Sequence, residues 1–204
     1  MPIKTIKDHF SSNPLKNHFE NNSLKEHFSS NHLKNHWTYF FQDNMENKVL
    51  EQFYDYGGLE FRRFSWKDLD ECAQLFKSVF STDPWYDEWI SLDQVKNYLK
   101  ELIENPVFEG FVVCENSNVV AVCLGHRRSG WMGKEFFVDE FFVENRRQGG
   151  GIGTKTLNFV GKILFNEGYT RLTLLTNKGI FAESFYLKNG FYNNEKRTIM
   201  VKEF

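Results

Sequence analysis

The sequence predicts an α/β (α+β) domain preceded by a repetitive N-terminal extension, and three observations carry that reading. A run of strand formers, Glu135-Phe136-Phe137-Val138-Asp139-Glu140-Phe141-Phe142-Val143, is joined to an amphipathic helix by a loop almost without side chains, Arg146-Arg147-Gln148-Gly149-Gly150-Gly151-Ile152-Gly153. Two further strand-like runs, residues 108–115 and 119–126, flank Asn116-Ser117-Asn118, a good hairpin turn. Two helical patterns between residues 65 and 104 each open on a serine suited to capping. At 204 residues and 41% hydrophobic, the chain can bury one full core with a segment left over.

The segment left over is the N-terminus. Residues 6–37 hold four copies of a nine-residue unit, Ile6-Lys7-Asp8-His9-Phe10, Leu15-Lys16-Asn17-His18-Phe19, Leu24-Lys25-Glu26-His27-Phe28 and Leu33-Lys34-Asn35-His36-Trp37. Nine residues make about two and a half helical turns, so successive units would face opposite sides of a helix and bury no single stripe. Short, weakly formed turns or disorder are expected over residues 1–37. Five of the six histidines lie here, but metal sites need ligands converging from a fixed scaffold, so no metal is expected. Adhesion to a partner or self-association through the aromatic residues is the stronger reading. Residues 38–57, with Tyr39, Phe40, Phe41, Leu50, Phe53 and Tyr54, read as a helical linker.

Residues 58–64 read as the first strand of the domain. Ser65-Trp66-Lys67-Asp68 is a capping-box-like start for a helix carrying Leu69, Cys72, Leu75, Phe76 and Phe80. After a loop over Asp83-Pro84-Trp85-Tyr86-Asp87-Glu88-Trp89, Ser91 caps a second helix to about Glu104, with Val95, Leu99 and Leu102 inward. The hairpin and the 135–143 strand follow. The helix after the glycine loop spans about 154–165, with Leu157, Val160 and Leu164 at helical spacing and Phe159 and Ile163 widening the apolar face. Residues 170–176 form the next strand and about 181–188 a last helix, ended by Asn189-Gly190. Thr198-Ile199-Met200-Val201 reads as a strand that closes the sheet.

Glycines at 149, 150, 151 and 153 reach dihedrals closed to other residues and let a ligand touch the main chain. The unpaired N–H groups of the following helical turn point at that ligand, and the macrodipole adds about 0.3–1 kcal/mol per anionic contact. Such a loop binds phosphate. Spacing excludes two of its owners. A P-loop counted from Gly149 finds Thr154 where its second glycine belongs, and the dinucleotide fingerprint ends on Thr154 or Thr156 from its two starts. The pattern Arg/Gln-x-x-Gly-x-Gly/Ala is met by Gln148-Gly149-Gly150-Gly151-Ile152-Gly153 at every fixed position, and Tyr186-Leu187-Lys188-Asn189-Gly190-Phe191 supplies a Tyr-x-x-x-Gly-Phe helix ending downstream. In this order the two motifs resemble the coenzyme A pyrophosphate loop and later helix of the GNAT superfamily of N-acetyltransferases, over about residues 58–204.

The resemblance implies the GNAT acyltransferase fold, a mixed, mostly antiparallel central sheet flanked by helices, with acetyl-CoA as co-substrate. It puts the amides of Gln148, Gly149, Gly150, Gly151, Ile152, Gly153 and Thr154 on the pyrophosphate. It puts Phe141, Phe142 and Val143 beside the pantetheine arm, where the strand before the loop and the strand after the helix splay apart. Asp139 and Glu140 stand where many relatives place a carboxylate near the acceptor. A primary amine with a pKa of roughly 10 is neutral about once in a thousand molecules at neutral pH, so a base is needed. Strand alternation sends the two carboxylates to opposite faces, so at most one points into the cleft, and Glu140 is favoured. Tyr186 matches the family tyrosine that protonates the departing thiolate. Many relatives carry an asparagine seven residues before it; here that position is Gly179, and either Asn177 takes the contact or the contact is lost.

The resemblance also places Trp85, Tyr86, Asp87 and Glu88 on the acceptor side. Carboxylates attract a cationic amine, and aromatic faces add about 0.5–2 kcal/mol of cation–π attraction. The expected activity is therefore transfer of acetyl from acetyl-CoA to a primary amine of a small, aminoglycoside- or polyamine-like cation. The alternative is a catalytically silent acyl-CoA-binding regulatory module that uses the repeat for partner contacts. His126, Arg127, Arg128 and Trp131 would instead suit an acceptor bearing a carboxylate. A formal charge of -2 argues against a broad nucleic-acid or membrane surface. With no apolar signal core at the N-terminus and no run approaching a membrane span, a soluble cytoplasmic protein is expected. Cys72, Cys114 and Cys123 include no Cys-x-x-Cys pair, so neither a disulfide framework nor a zinc site is expected. The small-molecule amine is the expected partner, with a homodimer left open.

Overall fold

The computed structural model describes residues 54–204. The repeat and nearly all of the expected helical linker lie outside the described residues; of that linker, Tyr54–Tyr56 form a short strand rather than helix. Six strands make one sheet in chain order: β1 Tyr54–Tyr56, β2 Leu59–Arg63, β3 Phe108–Glu115, β4 Asn118–Gly130, β5 Gly133–Val143 and β6 Tyr169–Leu174. Each of the first four is antiparallel to the next, and β6 runs parallel to β5. Among the described residues four α-helices flank the sheet: α1 Leu69–Phe80, α2 Leu92–Ile103, α3 Ile152–Asn166 and α4 Phe181–Lys188. This is the mixed, mostly antiparallel sheet with flanking helices that the sequence predicts. No helix among the described residues is long and apolar enough to cross a membrane.

Turn chemistry sets the strand order. Asn116 and Ser117 both take positive φ, 48° and 66°, the backbone twist a two-residue hairpin needs between β3 and β4. Ser91 caps α2 as expected, its Oγ accepting from the Gln94 N–H at 3.1 Å. At the start of α1 the carboxylate of Asp68 accepts from the Ser65 N–H at 2.8 Å, but Trp66–Asp68 coil as a 3-10 turn and the α-helix begins only at Leu69. Asp68 is held there by Arg62 of β2, whose guanidinium donates to both carboxylate oxygens at 2.7 and 2.8 Å.

The sheet is the middle layer of the core. Strand alternation sends Val112, Val122, Leu124 and Phe142 toward α1 and α2, where they meet Phe76, Val95 and Leu99. Phe61, Phe111, Val113 and Phe136 point the other way, toward Phe159, Val160 and Leu164 of α3. All three cysteines are buried free thiols.

One predicted element is absent. Residues 198–201 form no strand; Ile199, Met200 and Val201 are 63%, 89% and 81% exposed, and β6 ends the sheet. Their apolar pattern suits a strand, yet without a neighbouring ladder it gains no main-chain partners.

Candidate active site

A bulge organises the site. The β4–β5 ladder pairs Leu124 with Glu140 and Gly125 with Val138, which leaves Asp139 opposite no residue. The extra residue reverses the alternation beyond it. Phe136 and Val138 face α3, whereas Phe142 packs against Phe76 and Phe80 of α1 and Glu140 accepts a hydrogen bond from Tyr98 of α2. The expectation that at most one of the two carboxylates reaches a given cleft is overturned, because both line the same one. Gly125 permits the bulge: a Cβ there would lie 2.2 Å from the Phe137 carbonyl oxygen.

The cleft lies where β5 and β6 part. Their parallel pairing ends at Val138 with Leu174, and beyond it β5 is paired only to β4. A cavity of about 640 Å³ fills the gap, lined by Asp139, Glu140, Phe141, Phe142 and Val143 of β5. Gln148, Gly149, Gly151, Gly153 and Thr154 line it from the loop and α3, Asn177 from beyond β6, and Phe185 and Tyr186 from α4. Two predicted ligand positions are not in this wall. Gly150 does not line the cleft, and the Ile152 side chain is a core residue beneath α3, 4% exposed, so any contact from either is through the main chain.

The loop has the shape its glycines allow. Gly149 and Gly151 take φ of 74° and 81°, and Gly151 is the left-handed residue from which α3 starts, two residues earlier than its periodicity suggests. The Gln148 side chain ties the loop to β5 by donating at 3.0 Å to the Val143 carbonyl and to Asn145 Oδ1. Arg147 is paired with Glu115. At Gly153 a Cβ would lie 3.0 Å from the ring of Phe185, which stacks on Phe141.

Burial first, then the charges of Asp139 and Asp87, push the Glu140 carboxyl up to about 7, against the opposing hydrogen bond from Tyr98. A carboxyl poised there exchanges protons near neutral pH. Burial, with smaller effects of Cys123 and Glu140, pushes the Tyr186 phenol up, so it stays protonated. Its ring is packed by Phe141, Phe185 and Phe191 at 6.2, 5.3 and 5.3 Å. Asp139 Oδ2 lies 2.6 Å from His126 Nδ1, and Arg128 Nε donates to His126 Nε2 at 3.0 Å. Acceptance at Nε2 assigns the ring proton to Nδ1, which donates to Asp139. His126 and Arg128 are thus engaged in holding Asp139. Arg127 and Trp131 are exposed and outside the cleft wall.

Of the predicted acceptor residues, Trp85 lines the cleft and packs on Phe80 at 5.4 Å. Asp87 is exposed, but its charge is felt at Glu140. Tyr86 and Glu88 are exposed and do not line the cleft; the Tyr86 hydroxyl donates to Asp83 at 3.2 Å. Sequence reasoning missed Tyr98, which sits among the apolar positions of α2 and carries no local signal, and it missed the bulge, which Gly125 within a run of apolar strand residues marks.

The family described as Acetyltransferase (GNAT) family matches residues 66–191. Among solved structures, the chain is similar to a possible acetyltransferase from Clostridium difficile 630, with a TM-score of 0.62 and 18% identity over 72% of this chain and 98% of that one. It is similar to an aminoglycoside acetyltransferase from an uncultured soil metagenomic sample in complex with sisomicin, with a TM-score of 0.58 and 16% identity over 72% and 97% of the two chains. It is similar also to the aminoglycoside N-acetyltransferase AAC(6')-Iy in complex with CoA, with a TM-score of 0.58 and 14% identity over 76% and 99%. No curated protein matches by sequence. With the family match spanning most of the chain and the fold agreeing, the chain belongs to the GNAT acetyltransferase family and is an acyltransferase.

Proposed function

We propose that the chain transfers acetyl from acetyl-CoA to a primary amine of a small cationic acceptor, with Glu140 as base and Tyr186 as acid. The observation that carries this reading is that a carboxyl poised near 7 and a half-buried, protonated phenol line one cleft, with a glycine loop at a helix N-terminus on its wall. Acetyl-CoA supplies the activated acetyl group. The loop amides and the first turn of α3 hold its pyrophosphate, and the edge of β5 over Phe141, Phe142 and Val143 offers main-chain groups to the pantetheine arm. Asn177 stands on the opposite wall, fit to contact the same arm.

Glu140 takes a proton from the acceptor ammonium, so that the neutral nitrogen forms the new bond to the acetyl carbonyl carbon. As the carbon–sulfur bond breaks, Tyr186 gives its O–H proton to the leaving sulfur, the acylated nitrogen releases its surplus proton to solvent, and the phenol regains one from solvent, so that amide and thiol leave neutral. The acidic groups Asp87, Asp139 and Glu140 beside Trp85 favour a cationic acceptor, and the two aminoglycoside acetyltransferases with this fold support that chemical class.

Titrating acetyl-CoA and then following thiol release with a panel of aminoglycosides, polyamines and lysine peptides tests the reading. Release with at least one cationic amine is expected. Absence of coenzyme binding would sink the site assignment, and binding without turnover on any amine would leave the silent acyl-CoA-binding module.

A further inference from the structure

Glu140 stands between neighbours that act on it in opposite senses. From α2, the Tyr98 hydroxyl donates to its carboxylate. The position of that hydroxyl is fixed by Val95 and Leu99, both fully buried in α2, and by the rings of Trp89 and Phe76 at 5.3 and 5.7 Å from the phenol. From β5 itself, the bulge turns Asp139 to the same side, and His126 holds it with a 2.6 Å contact. Asp87, from the α1–α2 loop, adds a further negative charge, and the Tyr186 phenol of α4 faces Glu140 across the cleft. No cation is among the groups that move its proton affinity.

We propose that Tyr98 and Asp139 are paired positioning residues, one stabilising the charged form of Glu140 and the other the neutral form, and that their balance fixes the pH at which Glu140 takes up a proton. The physical basis is simple. A hydrogen bond donated to a carboxylate favours its charged form, and a like charge beside it disfavours that form. Asp139 is on this account not a second base. It is a fixed charge, installed by the bulge and anchored by His126, whose ring is in turn held by Arg128. The importance of this balance for turnover rests on Glu140 being the base.

The two effects separate by sign. Removing only the phenol oxygen in Tyr98→Phe keeps the ring packing and should raise the proton affinity of Glu140. Removing only the charge in Asp139→Asn keeps an oxygen for the His126 N–H and should lower it. Mere loosening of the site would admit water and lower it in both variants.

The direct test is a 13C NMR titration of the full chain labelled at its glutamate carboxyls, with Glu140→Gln identifying the signal. A rise of about one pH unit in Tyr98→Phe, a fall of about one in Asp139→Asn, and a return toward the starting value in the double variant are expected. Shifts of the same sign, or no shift in either single variant, would overturn the proposal. The acidic limb of kcat/KM, measured with the amine found active, should move with the NMR values. If the NMR values separate while that limb stays fixed, the balance stands and Glu140 is not the base.

Discussion

Two carboxyls that the fold desolvates, Asp68 beside the closed half of the sheet and Glu140 in the open half, show how differently it treats the same group. In the closed half, from β2 to β4, every strand is paired on both edges. There burial pushes Asp68 up, but the bidentate Arg62 and the Ser65 N–H outweigh it and hold the carboxyl below its ordinary value. In the open half, past Val138, β5 has lost its β6 neighbour. There burial pushes Glu140 up, and its hydrogen-bond donor is a phenol with no charge to offset the desolvation. Burial is common to both, so the partner decides the outcome. A cation makes the carboxyl a structural anchor, and its absence leaves a group that exchanges protons near neutral pH. The change from one regime to the other occurs within β5, at the single bulged residue Asp139.

The largest effect should come from breaking the anchor. Asp68→Ala would leave Arg62, whose side chain is 13% exposed, without its principal partner, at an expected cost of about 3–5 kcal/mol. Urea unfolding measures it, and acetyl-CoA affinity of the folded fraction should be unchanged. A cost below about 1 kcal/mol would mean that the closed half does not depend on this pair.

The second effect has the opposite sign. Folding raises Glu140 from 4.5 to about 7. Its contribution to stability is therefore fully present below the unfolded value and is lost as pH rises through about 7, when the folded state must give up a proton it holds in preference to the unfolded chain. Asp68, lowered by folding, contributes above its unfolded value and loses that contribution as pH falls. Glu140→Gln should thus gain about 2–3 kcal/mol over the natural chain at pH 8 and little at pH 4, as read by thermal unfolding at both, while losing turnover. Equal stability of the two proteins at pH 8 would show that Glu140 is no strained group. The next effect is on rate and not on stability. Tyr186→Phe keeps the aromatic packing, so turnover should fall about a hundredfold with acetyl-CoA affinity nearly unchanged. An unaltered kcat would remove the acid role.

The closed half was the more legible in sequence for the same physical reason that it is stable. Local signals agree with tertiary ones there: Ser91 caps α2, Asn116 and Ser117 make the hairpin, and alternating Val112 and Val113 fill the two layers. The glycine loop was legible too, because the positive φ that Gly149 and Gly151 adopt is open to glycine and closed to most other residues. What could not be read was which way the open end of β5 faces. One inserted residue at Asp139 reverses its alternation, and a period-2 argument carries no warning of that beyond Gly125. Tyr98 was hidden because a tyrosine on a half-buried helix face reads as packing until a carboxylate is found against it. Residues 198–201 failed in the converse way, with a strand pattern that no ladder receives.

The smallest test uses two glycines of one helix. Gly161, in the middle of α3, has nothing within 4 Å of a built Cβ, so Gly161→Ala should gain roughly 0.4–1 kcal/mol by restricting the unfolded chain and leave coenzyme affinity alone. Gly153, at the start of the same helix, would place its Cβ 3.0 Å from Phe185 and 3.6 Å from Val143, both of which line the cleft. Gly153→Ala should therefore have its propensity gain cancelled by displacement of the Phe185 ring from its stacked position on Phe141, with stability within about 1 kcal/mol of the natural chain. Because that ring forms part of the wall, acetyl-CoA affinity should drop severalfold in this variant alone. Calorimetric titration of both variants separates the two halves at their shared helix. Equal affinities would mean that the tight approach of α3 to α4 serves packing, and that the cleft begins further from Gly153 than its lining indicates.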